Sequence, residues 1–289
     1  MTTTYQSIPV KGGVNVFYRA AGDPSKPVLV LFHGFPASSH QYRQFIPLLA
    51  TKYCVIAPDY PGFGFTTAPA DYVYTFDALA DTTASFLAAL NITHCSAYIF
   101  DYGAPVAYRL ASQGRIKFDA IISQNANAYM EGFGHPFWDP IMALWDSGNA
   151  PKNRQALRDA AITLGFFKDH YVDGVPEEAI KRFSPDGYTF DFLLASRPGY
   201  AEIHLDLLYD YRTNPALYPS FQEYFRSSKV PLLLVWGKND IAFIAAGAEA
   251  HRKDRPDAKI VLLDTGHFAL ETHVEEIAEL TMSFLAESL

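Results

Sequence analysis

Six short stretches of the chain are apolar almost without interruption: residues 28–32, 53–57, 97–100, 118–122, 231–236 and 259–263. Runs that are continuous rather than alternating are what strands covered on both faces require. Residues 5–20 instead alternate apolar and polar around Lys11-Gly12-Gly13, the pattern of a β-hairpin. Between the runs, apolar residues recur at helical spacing over 76–90, 106–111 and 274–285. Strands alternating with helices imply right-handed crossovers, and so an α/β fold with a mostly parallel sheet flanked by helices.

This rhythm breaks over residues 128–227, which are rich in Phe, Tyr, Trp, Pro and Gly and hold helix-like pieces but no buried-strand run. The stretch is too long for a loop. It predicts a helical cap inserted after the strand ending near Ser123, with residues 1–127 and 228–289 folding together as the core. A helical layer over the carboxyl edge of such a sheet builds a pocket where open α/β sheets bind ligands. The length of 289 residues, 49% of them hydrophobic, suffices for that core. A net charge of −8 argues against nucleic acid or an anionic membrane as partner. The apolar runs are too short and too broken to span a membrane, and the start shows no basic region followed by an apolar run. Cys54 and Cys95 read as small core fillers in a reducing compartment, so the expected location is cytoplasmic.

Candidate chemistry gathers at the ends of the predicted strands. His33-Gly34-Phe35-Pro36 follows the first, Asp101 the third, Asp240 the penultimate and His267 the last. Residues 96–105 read as a strand turning sharply into a helix, the setting in which G-x-S-x-G presents a serine, yet the residue at the turn is Asp101. Ser96 and Ser123 lie before or outside that turn. A carboxylate is ionised at neutral pH and needs no base to become a nucleophile. It suits attack on a saturated carbon, leaving an alkyl ester that water then cleaves. It suits ester or amide hydrolysis poorly, because attack there gives an anhydride.

With nucleophile, acid and base in that order, the chain resembles the α/β-hydrolase superfamily over nearly its whole length. Within it, His33-Gly34-Phe35-Pro36 and Asp101-Tyr102-Gly103-Ala104-Pro105 resemble the aspartate-nucleophile branch of epoxide hydrolases and haloalkane dehalogenases. The resemblance implies Asp101 as nucleophile, His267 as base, Asp240 as its acid, and the backbone N–H groups of Phe35 and Tyr102 as an oxyanion hole. It implies no metal and no organic cofactor. Tyr211, before Arg212, matches one of two cap tyrosines that protonate an opening epoxide, while Trp145 stands near the place of the other. Tyr129 and Tyr188 are its possible substitutes, and they join Trp138 and Trp145 as candidate substrate-binding residues. Asn125 and Asn127 fall at the junction of core and cap, and His135, His170, His204, His251 and His273 read as surface or packing residues.

The activity this implies is conversion of a small lipophilic epoxide to a diol. One alternative is haloalkane or haloacid dehalogenation, with Trp138 and Trp145 as halide donors; another is a non-catalytic ligand-binding receptor on the same fold. Against the dehalogenase stand Tyr102 and Phe35, where that family places a Trp and an Asn or second Trp. Against a haloacid stands the absence of an arginine beside Asp101, Arg109 being two turns along the helix.

Overall fold

The six apolar runs all become strands of one eight-stranded sheet in a computed structural model, which describes residues 2–181 and 183–289. The strands are β1 (Thr4–Pro9), β2 (Asn15–Ala21), β3 (Val28–Phe32), β4 (Cys54–Pro58), β5 (His94–Phe100), β6 (Lys117–Gln124), β7 (Leu232–Gly237) and β8 (Lys259–Leu263). Across the sheet they run β1-β2-β4-β3-β5-β6-β7-β8. The amino-terminal hairpin is antiparallel and joins β4 antiparallel; every later pair is parallel. One run departs from its reading: β8 pairs only with β7, and Leu262 is exposed. An edge strand needs little more apolar cover than its inner face requires.

Alternation along the inner strands separates two cores. Leu29, Leu31, Tyr98, Ile122 and Val235 face one side, and Val30, Phe32, Ile99, Ile121 and Leu234 the other. Helix α1 (Phe45–Leu49) covers the first side; α2 (Phe76–Ala89) and α3 (Gly103–Ser112) cover the second. Thr75 starts α2 by accepting the N–H of Ala78 on its hydroxyl at 3.1 Å.

Among the described residues, everything regular between β6 and β7 is helical. After a short 3-10 turn come α4 (Asp139–Asp146), α5 (Pro151–Ala161), α6 (Leu164–Val172) and α7 (Glu177–Ile180). Helices α8 (Asp186–Ala195), α9 (Tyr200–Asp210) and α10 (Thr213–Ser228) complete the insert. The chain then returns to the core with α11 (Ala245–Ala250) and α12 (Val274–Ser288), whose Ile277 and Leu285 pack beside α1 on the first side.

The insert is tied back to the core at its carboxyl end. Asp210 accepts the N–H of Phe76 at 2.8 Å. The buried Arg109 of α3 donates to Asn214 Oδ1 at 2.6 Å and Thr213 Oγ1 at 3.1 Å, and pairs with Asp77 at 2.7 Å. These bonds bracket Tyr211 on both sides in sequence. Among the described residues no helix is long and apolar enough to cross a membrane, and no group of three His, Cys, Asp or Glu side chains is placed to hold a metal ion.

Candidate active site

Asp101 occupies the turn between β5 and α3 with φ +47°, a left-handed conformation that disfavours any residue with a Cβ. Close packing around the turn holds it there. A Cβ on Gly103 would lie 2.5 Å from the carbonyl oxygen of Phe32, so only glycine lets α3 start against β3. A Cβ on Gly34 would lie 2.2 Å from Asp101 Oδ1 and 2.6 Å from the Tyr102 nitrogen. Gly34 therefore brings the loop after β3 onto the carboxylate. The Phe35 N–H donates to Asp101 Oδ1 at 2.5 Å, and the Tyr102 N–H donates to the same carboxylate. Burial raises the Asp101 pKa to about 6, against the pull of His267 and of these two donors.

His267 faces the other carboxylate oxygen, with Nε2 4.0 Å from Oδ2. Its Nδ1 lies 2.6 Å from Asp240 Oδ2. Asp240 is itself held on both oxygens. Oδ1 accepts the Ala242 N–H at 2.7 Å, and Oδ2 accepts Asn125 Nδ2 at 2.7 Å. Asn125, in a left-handed conformation of its own, takes the Gly237 N–H on its amide oxygen at 2.9 Å. It is thus a brace for Asp240 at the end of β7. Burial lowers the pKa of His267, but Asp240 and Asp101 outweigh it, so the net shift is upward. Among the described residues His267 Nε2 has no hydrogen-bond partner, which leaves its lone pair free beside Asp101.

Two neighbours complete this floor. His33, driven by burial to a pKa of about 4, accepts the Tyr60 N–H on Nε2 at 3.0 Å. Asp59 accepts the N–H groups of Ser39 at 2.7 Å and Phe65 at 2.9 Å. Both are loop braces.

Above Asp101 lies a cavity of about 90 Å³, walled by Phe35 and Tyr102 below and by residues of α4, α5, α6 and α9 above. Tyr211 sits behind the wall, fully buried, its ring 5.6 Å from that of Tyr102 and 4.9 Å from that of Trp138. Its hydroxyl has no partner with hydrogen-bond geometry among the described residues. Burial drives its pKa well above the ordinary phenol value, with Tyr218 and Asp101 adding to the rise.

The other expected cap residues fare differently. Trp138 lines the cavity, but its indole N–H donates to the Ala242 carbonyl at 2.7 Å. Trp145 stacks behind Tyr211, and its N–H donates to the Leu208 carbonyl at 2.8 Å. Neither indole is free to hold an anion. Tyr129 is outside the cavity wall, its hydroxyl bound to Asp254 at 2.7 Å. Tyr188 is outside as well, packed on Tyr171. A hydroxyl already donating to a carboxylate, and a ring pointed into a separate aromatic cluster, cannot meet a ligand at Asp101.

The residue that does reach the site is His170, which reads from sequence as surface or packing. It lines the cavity, with its ring stacked 4.7 Å from that of His267. Burial and the neighbouring His267 hold its pKa well below the usual imidazole value, so it is neutral. The signal lay in the phase of α6, where Phe166, Phe167, His170 and Tyr171 share one helical face.

Such an arrangement offers an ionised oxygen at a strained turn, an imidazole nitrogen beside it with no partner among the described residues, and two backbone donors on the carboxylate, that of Phe35 on Oδ1. Residues 27–274 match the family model described as alpha/beta hydrolase fold. The chain is 45% identical over 285 residues to the uncharacterised hydrolase YNR064C of Saccharomyces cerevisiae, covering 98% of each. It is 23% identical to epoxide hydrolase 3 of Mus musculus, over 97% of this chain and 77% of that one. In fold it superposes on haloalkane dehalogenase DbeA of Bradyrhizobium elkani with a TM-score of 0.79 at 20% identity, covering 99% and 100% of the two chains. From its sheet order, its strand-to-helix turn and these matches, the chain belongs to the α/β-hydrolase fold family and is a hydrolase.

Proposed function

We propose that this hydrolase is an epoxide hydrolase working through a covalent ester on Asp101, with the helical insert as its cap. The observation that carries the reading is the elbow itself: a carboxylate where a serine hydrolase has its hydroxyl, with His267 Nε2, unpartnered among the described residues, 4.0 Å from its outer oxygen. In the first step Asp101 Oδ2 attacks a ring carbon and the ring C–O bond breaks. The proton for the departing alkoxide comes from Tyr211, whose hydroxyl has to reach past the Tyr102 and Trp138 rings into the cavity. In the second step His267 takes a proton from water, and the hydroxide attacks the Asp101 carboxyl carbon. The oxyanion forms on Oδ1, which already accepts the Phe35 N–H, with the Tyr102 N–H also on this carboxylate. His267 returns its proton to the leaving alcohol, and the proton freed with the Asp101 carboxylate restores Tyr211.

Halide release is supported less well. A departing halide needs N–H donors, and both cap indoles already donate to backbone carbonyls. A haloacid finds no cation among the described residues, because none of the lysines or arginines among them lines the cavity and Arg109 is turned toward α10. The decisive experiment is the intact mass of His267→Gln after incubation with a panel of epoxides and haloalkanes, alongside Asp101→Asn,His267→Gln. The expected result is a gain of one whole epoxide, absent from the double variant. A gain of an alkyl group without its halogen makes the protein a dehalogenase; no adduct from either class removes the covalent mechanism and favours a ligand-binding receptor.

A further inference from the structure

The cavity above Asp101 is small and slender, and its shape bears on which electrophile fits. Its volume of about 90 Å³ is well under the ~150 Å³ of an engineered apolar cavity that takes up one benzene. By proportion, the closed part holds roughly four non-hydrogen atoms. That accommodates an oxirane ring with one carbon attached, and no phenyl or branched group at the reacting carbon.

The wall is otherwise apolar. Among the described residues, apart from Asp101, the neutral His170 and the Tyr102 phenol, it presents hydrocarbon and aromatic side chains only. A charged substituent has no counter-ion there, and an anionic one meets the Asp101 charge. The exit is equally informative. Pro140 of α4 and Ala160 of α5 are the exposed residues of the lining, so the cavity opens between these two helices. At that opening α5 offers only the methyl groups of Ala160 and Ala161, with Leu157 one turn back and Ile141 opposite. Because α5 ends on two alanines, the side of the opening it forms carries the smallest side chains that still have a Cβ.

Building on the epoxide-hydrolase reading above, we infer that the substrate class is a neutral, terminal, unbranched epoxide, with its oxirane at Asp101 and its alkyl tail threaded out between α4 and α5 past Ala160 and Ala161. Selectivity then rests on the width of the opening rather than on a polar contact.

The test is a series of straight-chain 1,2-epoxides from three to ten carbons, set against styrene oxide and a 2,2-dialkyl epoxide. Formation of the ester is followed by mass in His267→Gln, and kcat/KM is measured in the intact enzyme. Each added methylene buried along the exit should raise kcat/KM about fourfold, until the tail reaches solvent and the gain stops. The phenyl and 2,2-dialkyl compounds should fall at least about 100-fold below the best linear one. Ala161→Leu should cut the ratio of long-chain to three-carbon kcat/KM by at least about tenfold, and Leu157→Ala should move the phenyl compound toward the linear series. Phenyl or 2,2-dialkyl epoxides within tenfold of the linear ones, or an unchanged selectivity ratio in both variants, overturns the inference while leaving the epoxide-hydrolase reading intact. Absence of an ester from every epoxide overturns both.

Discussion

The floor and the roof of the cavity are built by different means. On the floor, backbone holds the reactive groups: Asp101 receives the N–H of Phe35 and of Tyr102, and Asp240 that of Ala242. In the roof, side chains pack against side chains. Tyr211 lies among Phe76, Tyr102, Trp138 and Trp145, and His170 stacks with Phe137, Phe166 and His267. Backbone donors survive most substitutions, whereas an aromatic stack shifts with any member. The floor is therefore suited to constant chemistry and the roof to adjustable selectivity.

The sharpest way to break the comparison is at the floor. Asp101→Asn keeps the shape and the hydrogen bonds to Phe35 and Tyr102 but loses the nucleophile, so turnover should fall by at least about 10⁴-fold. The same substitution should stabilise the fold. Burial raises the Asp101 pKa from 3.8 to about 6, so the ionised form is disfavoured in the native state. That penalty is present above pH 6 and fades as pH drops toward 4, where the unfolded carboxyl also becomes protonated. At pH 8, urea unfolding should find Asp101→Asn more stable by about 3 kcal/mol, with the gap closing at pH 4. Equal stability at both pH values contradicts the burial argument.

Roof substitutions should act on one step only. Tyr211→Phe should slow epoxide opening by about 10²-fold, while hydrolysis of a preformed ester keeps its rate. Arg109→Met releases Asn214 and Thr213, the anchors just past Tyr211, and should slow opening by about tenfold. Combined with Tyr211→Phe it should add little, since both losses run through one hydroxyl. Asp77→Asn breaks only the solvent-exposed side of the Arg109 cluster and serves as a control for general destabilisation. Full additivity in the double variant makes Arg109 a purely structural residue. The smallest effect is graded: single-turnover ester formation should fall tenfold per unit below about pH 6, as Asp101 takes up its proton. A flat rate down to pH 5 places the Asp101 pKa near its ordinary value.

Most of the sheet was legible in the chain because burial on two faces leaves an unmistakable run of apolar residues, as at 97–100. Edge position was not, which is why β8 reads like an inner strand. The floor was legible for a related reason: Gly34, Asp101, Asp240 and His267 each close a strand, and strand ends in a parallel sheet share one edge. The roof was legible only as composition. Its aromatics promise packing, but which of them line the cavity depends on helix phase and tilt: Trp138 does, whereas Trp145, Tyr129, Tyr188 and Tyr211 stand outside the lining.

By itself, then, the order of residues determined the fold and the run of reactive groups along one sheet edge, because both follow from periodicity and from strand ends. Tertiary structure alone decided three other matters. It stacked His170 on His267 across 97 positions of sequence, spent both indole N–H groups on backbone carbonyls, and turned Asn125 into the brace of Asp240. Each of these depends on the direction of a single side chain after packing, and a direction in space leaves no period in the sequence.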